Sequence, residues 1–101
     1  MKKIINNKLY NTDTANLLCS YSNGYGINDF QHFQEDLYIK QNGEYFLHGS
    51  GGAMSKYSKN CGGYSTGGST IIPLTCKGAK NWAAEHLAVD EFLELFGTVE
   101  E

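Results

Sequence analysis

Asp36-Leu37-Tyr38-Ile39-Lys40-Gln41-Asn42-Gly43-Glu44-Tyr45-Phe46-Leu47-His48 is the stretch from which the fold is read. Two apolar, aromatic runs flank Asn42-Gly43, the dipeptide that most readily takes the positive φ values of a tight hairpin turn. An antiparallel strand pair is therefore expected. Alternation puts Tyr45 and Leu47 on one face of the return strand and Glu44, Phe46 and His48 on the other.

Toward the N-terminus, Ile4-Ile5, Asn6-Asn7 and Leu9-Tyr10 predict a further hairpin. Asn11-Thr12-Asp13-Thr14 offers helix N-caps, so a short helix is expected through Ala15, Leu17 and Leu18, ending near Asn23-Gly24. Toward the C-terminus, residues 49–68 hold seven of the twelve glycines, interleaved with Met54, Tyr57 and Tyr64. A stretch that long with no secondary structure is unusual in a small domain, which predicts a helical turn over residues 53–60. Thr70-Ile71-Ile72-Pro73-Leu74 reads as a strand, with Pro73 at a sheet edge because it lacks a ladder donor. Thr75 can cap a helix carrying Ala79, Trp82, Ala83, His86 and Leu87. Asp90 opens a second helix with Phe92, Leu93, Leu95 and Phe96, stopped by Gly97. The expected class is α+β: a small antiparallel sheet of three to four strands with C-terminal helices packed on one face, residues 1–101 forming one domain.

Composition narrows the function classes. The chain has 101 residues, 41% of them hydrophobic and 19% charged, which suits a folded domain with one modest core. No apolar run approaches the ~20 residues of a membrane-spanning helix. Met1-Lys2-Lys3-Ile4-Ile5 turns polar at Asn6-Asn7-Lys8 without a signal-peptide apolar region, so a cytoplasmic location is expected. The net charge of −3 is unevenly spread: residues 41–80 carry +3 and residues 81–101 carry −6. All eight basic residues are Lys. Without the flat guanidinium fork, bidentate readout of phosphate or guanine is disfavoured and direct nucleic-acid binding is not expected, while Lys–phosphate contact stays open. Three cysteines, an odd number, suit reduced thiols better than a disulfide scaffold.

Several constellations bear on chemistry. Gly49-Ser50-Gly51-Gly52-Ala53-Met54-Ser55-Lys56 is superficially a phosphate loop. Ser55, however, stands where Walker A needs Gly before Lys, and Met54 where a dinucleotide loop needs its third Gly. Tight turns and close backbone approach explain those glycines instead. His48, Cys61, Cys76 and His86 are the candidate zinc ligands, by residue type. Cys76 and His86 stand ten residues apart, roughly 15 Å along an ideal helix, so a site using one is expected to omit the other unless the helix starts later. A Cys/His nucleophile pair would use Cys76 at a helix N-terminus, but no residue at a recognisable spacing supplies the third member or an oxyanion hole, and no enzymatic activity is expected. Asp90, Glu91 and Glu94, with Glu100 and Glu101, can form a negative patch for a Lys/Arg-rich partner. Tyr57 and Tyr64, in loops, are candidate contact anchors.

Residues 3–12, Ser22-Asn23-Gly24, Leu37-Tyr38, residues 43–49 and 51–57, Ile71-Ile72-Pro73-Leu74, residues 79–83, Asp90-Glu91-Phe92 and Phe96-Gly97 together resemble a family of short proteins carried by phages and mobile elements of Gram-positive bacteria. Within that group the chain resembles type II-A anti-CRISPR proteins, which bind Cas9 and stop it engaging DNA. The resemblance implies a non-catalytic inhibitor whose partner is Cas9 in the host cytoplasm. A zinc-containing member of that inhibitor class also implies a use for the Cys/His set. It carries over no ligand and no catalytic residue. At −3 the chain is too weakly charged to imitate a whole duplex, so binding to a protein surface is expected. The alternative is a zinc-stapled nucleic-acid-binding regulator, with Lys56, Lys59, Lys77 and Lys80 on phosphate.

Overall fold

The computed structural model describes residues 1–26 and 28–97. The Asn-Gly hairpin forms as read: β4 (Phe33–Ile39) and β5 (Tyr45–Gly51) pair antiparallel, with Tyr38 opposite Phe46 and Leu37 opposite Leu47. Gly43 takes φ +89, which a side chain would resist. Asn42 Oδ1 accepts from Glu44 N–H at 3.0 Å and locks the turn.

Around this pair the chain builds a four-stranded antiparallel sheet in the order β3-β4-β5-β8, from β3 (Asn16–Ser22) to β8 (Gly68–Leu74). β8 is an edge strand, the place where Pro73 costs no ladder bond on its open side. β1 (Lys2–Ile5) and β2 (Lys8–Asn11) form a separate hairpin whose turn residues Asn6 and Asn7 take φ 52 and 64. β6 (Lys59–Asn60) and β7 (Ser65–Thr66) form a two-residue ribbon around Gly62 and Gly63.

Helices α1 (Cys76–His86) and α2 (Val89–Phe96) close the chain. Thr75 caps α1 by accepting from Gly78 N–H at 2.9 Å. Gly97, at φ 78, ends α2. Ala79, Trp82 and Ala83 of α1 bury against Leu37 and Leu47, and Phe92 and Phe96 of α2 pack onto the same cluster. The class is therefore α+β, with both helices on one face of the sheet. Among the described residues no helix is long and apolar enough to cross a membrane.

Two expectations give way. The stretch expected as a helix from Ala15 is instead strand β3 over Asn16–Ser22. The Asn11 side chain accepts from Asp13 N–H at 2.9 Å and its carbonyl from Ala15 N–H at 3.1 Å, so the capping residues make a turn instead. Residues 53–60 are not helix: residues 53–57 form consecutive turns that lead into β6, with Ser55 N–H donating to Gly52 O and Ser58 N–H to Ser55 O. These turns make a strap over the sheet, tied to the preceding loop by Gly52 N–H to His32 O (2.8 Å) and Met54 N–H to Phe30 O (2.7 Å).

Candidate functional site

On the helix-covered face, parity along β4 aligns Glu35 with Leu37, opposite Gly49 on β5. Glu35 is 1% exposed, the one buried charged residue among those described. Its carboxylate gathers donors from two other elements. Tyr57 of the strap donates its hydroxyl to Oε2, and Trp82 of α1 donates Nε1–H to Oε1 at 3.0 Å. Lys56 Nζ lies 2.8 Å from Oε2, with the amine lying over the Phe33 ring. His86 Nε2 approaches to 4.0 Å, its ring lying tilted against Tyr21 with centroids 4.1 Å apart.

Burial pushes the Glu35 carboxyl up, but the Lys56, Tyr57 and Trp82 hydrogen bonds and the Lys56 charge outweigh it, holding it below its ordinary value. Burial, then the bond to Glu35 and its charge, push the Tyr57 hydroxyl up. A cluster so saturated ties strand, strap and helix together. Gly49 makes this possible, because any Cβ there would meet the Tyr57 ring. The glycine run thus serves close approach: Gly51 lies under Ser55 and Gly52 against the Phe30 carbonyl.

The four zinc candidates do not converge. His48 pairs across strands with Asp36 and lies on the opposite face from Glu35 and His86, its Nδ1 3.8 Å from Asp36 Oδ2. Cys76 and His86 occupy opposite ends of α1. Cys61 sits after β6, its amide donating to the Tyr64 carbonyl across the ribbon. Among the described residues no three His, Cys, Asp or Glu are grouped to hold a metal, and these four do not fit a tetrahedral zinc as arranged. Cys19, Cys61 and Cys76 are free thiols. Burial first, with Glu91 and Asp36 adding, pushes Cys19 up to about 11, far from a thiolate nucleophile.

Tyr57 cannot serve as a contact anchor: it is buried, for the reasons just given. Tyr64 stands 68% exposed on the ribbon turn. Asp90, Glu91 and Glu94 are all exposed on α2; Glu100 and Glu101 lie outside the described residues. Beside those acids lies an apolar surface not singled out from the sequence. Ala84, Leu87, Val89, Phe92 and Leu93 line an apolar depression of about 260 Å³ between the helices. Val89 is 72% exposed and Leu93 37%. Helical geometry puts Asp90 and Glu94 about 100° round from Val89 and Leu93, so a negative rail borders the apolar strip.

Comparison with known proteins yields nothing: no protein-family model, curated protein or solved structure matches this chain.

Proposed function

We propose that the protein is a non-catalytic binding protein that docks through α2 onto a basic protein surface, and that its partner is Cas9, which it inhibits by blocking DNA loading or movement. The observation that carries this reading is the pairing of an exposed apolar strip, Val89 and Leu93, with the acidic rail of Asp90 and Glu94. Exposed apolar residues rimmed by one sign of charge are the composition of a protein interface. The excess of acid over residues 81–101, which contain no Lys, favours a partner rich in Lys or Arg. Cas9 follows from the resemblance to type II-A inhibitors, and its nucleic-acid channels are strongly basic.

Calorimetric titration of Cas9 with the wild-type chain and with Asp90→Lys/Glu91→Lys/Glu94→Lys tests the reading. Binding that weakens at least tenfold in the triple variant, with a lost salt dependence, agrees with it. No binding by the wild-type chain, or equal binding by the variant at low salt, removes it.

A further inference from the structure

Remote from the acidic helix in sequence, the strap, the first hairpin and the edge strand β8 enclose a depression of about 420 Å³. Lys3, Lys56, Lys59, Ser58, Ser69 and Thr70 are among its walls, and no carboxylate lines it. The volume falls in the range of small-ligand sites. Its three ammonium groups come from two segments that only the fold brings together, Lys3 from β1 and Lys56 and Lys59 from the strap and the start of β6. Lys56 is held in place by Glu35 beneath it and by the Phe33 and Tyr57 rings. Lys3 spends its hydrogen bond on a neutral hydroxyl, Thr70 Oγ1 at 3.2 Å, rather than on an acid. Among the described residues neither Lys3 nor Lys59 makes an ion pair.

A second concavity adjoins it. Ser58 lines both, and the neighbour is bounded by Asn60, Gly63, Tyr64 and Ser65 of the β6–β7 ribbon. Tyr64 is held at the ribbon turn by Cys61 N–H bonding its carbonyl at 2.8 Å, with the ring left exposed. An exposed aromatic ring next to a lysine-lined, hydroxyl-rich trough is the minimum equipment for a stacked base followed by a phosphodiester.

From this juxtaposition we propose that the trough binds single-stranded nucleic acid: Lys3, Lys56 and Lys59 take backbone phosphates, Ser58, Ser69 and Thr70 donate hydroxyls to their oxygens, and Tyr64 stacks a base. Ammonium groups act as point charges and the ring stacks on any base, so recognition is sequence-tolerant. This site is separate from α2 and does not depend on what α2 binds.

The test is fluorescence anisotropy of labelled oligothymidylate with the full chain. The variants are Lys3→Glu/Lys59→Glu and Tyr64→Ala; Lys56 is left intact because it holds Glu35. Circular dichroism confirms that each variant is folded. Three phosphate contacts predict binding that falls roughly ten- to twenty-fold between 50 and 200 mM salt. The charge variant is expected to lose at least tenfold at 50 mM salt and to flatten that dependence. Tyr64→Ala is expected to lose about tenfold, the scale of one stacked base, with the salt dependence intact. Absence of wild-type binding at 50 mM salt overturns the proposal, as does unchanged binding by the charge variant. Thymidine monophosphate competing as well as the oligonucleotide also overturns it, because the site would then be one for a free nucleotide.

Discussion

The two faces of the four-stranded sheet are closed in opposite ways. Under the helices, the centre is a buried carboxylate with donors arriving from strap and helix. Under the N-terminal hairpin, the centre is Phe46, stacked on Tyr38 at 5.2 Å and met edge-on by Tyr10 at 5.5 Å, with Ile71 completing the cluster. The first closure depends on charge and direction, the second on area and shape. Both are buried, yet only the first is tied to the protonation state of one residue. A small domain can thus use a polar hub where three segments must meet in a fixed arrangement, and plain apolar packing where one hairpin simply covers a face.

Removing the residue at the centre of either face should have the largest effect. Glu35→Ala strands the Trp82 and Tyr57 donors and frees Lys56 from its partner, an expected loss of about 3–5 kcal/mol in urea unfolding. Phe46→Ala should cost a similar ~3–5 kcal/mol by cavity formation. The two are told apart by pH. The Glu35 carboxyl is lowered from 4.5 in the folded chain, so its stabilisation is fully present above that value and fades as pH falls through the folded value. Phe46→Ala should therefore keep the wild-type slope of stability against pH below about 5, whereas Glu35→Ala should flatten it. Some slope remains in both, because Lys8, Asn42 and Lys40 draw the half-buried Glu44 down to about 2, where it titrates later.

Gly49→Ala comes next. Its methyl group displaces the Tyr57 ring from above the strand, with an expected cost of about 1–3 kcal/mol. Near-ultraviolet circular dichroism should report the moved tyrosine while far-ultraviolet signal persists. The smallest change belongs to Asp90→Lys/Glu91→Lys/Glu94→Lys. These side chains are exposed, so unfolding free energy should move by no more than about 1 kcal/mol even as partner binding collapses.

The contrast between the faces also explains what was legible in advance. Asn42-Gly43, Pro73, Thr75 and Gly97 each act through local geometry, and each stands where its chemistry placed it. Strand β3 was hidden by its register shift between Leu17 and Cys19, which lets Leu18 and Cys19 both pack on the core and breaks the alternation of Leu17, Cys19 and Tyr21. The hub was half visible. Glu35 is in phase with Leu37, and an acid in step with core positions is a signal in itself. Its partners were not readable, because Lys56, Tyr57 and Trp82 lie 21, 22 and 47 residues away and meet it only through the strap and α1. The same long-range placement buries Tyr57, gathers no three metal-ligating side chains among the described residues, and leaves Val89 and Leu93 exposed.

Hydrogen–deuterium exchange of the chain, alone and with Cas9, tests the α2 account most directly. The account predicts slowed exchange across residues 84–96 on binding, with the β4–β5 hairpin unchanged. Unaltered exchange over α2, or protection centred on another surface, would contradict it.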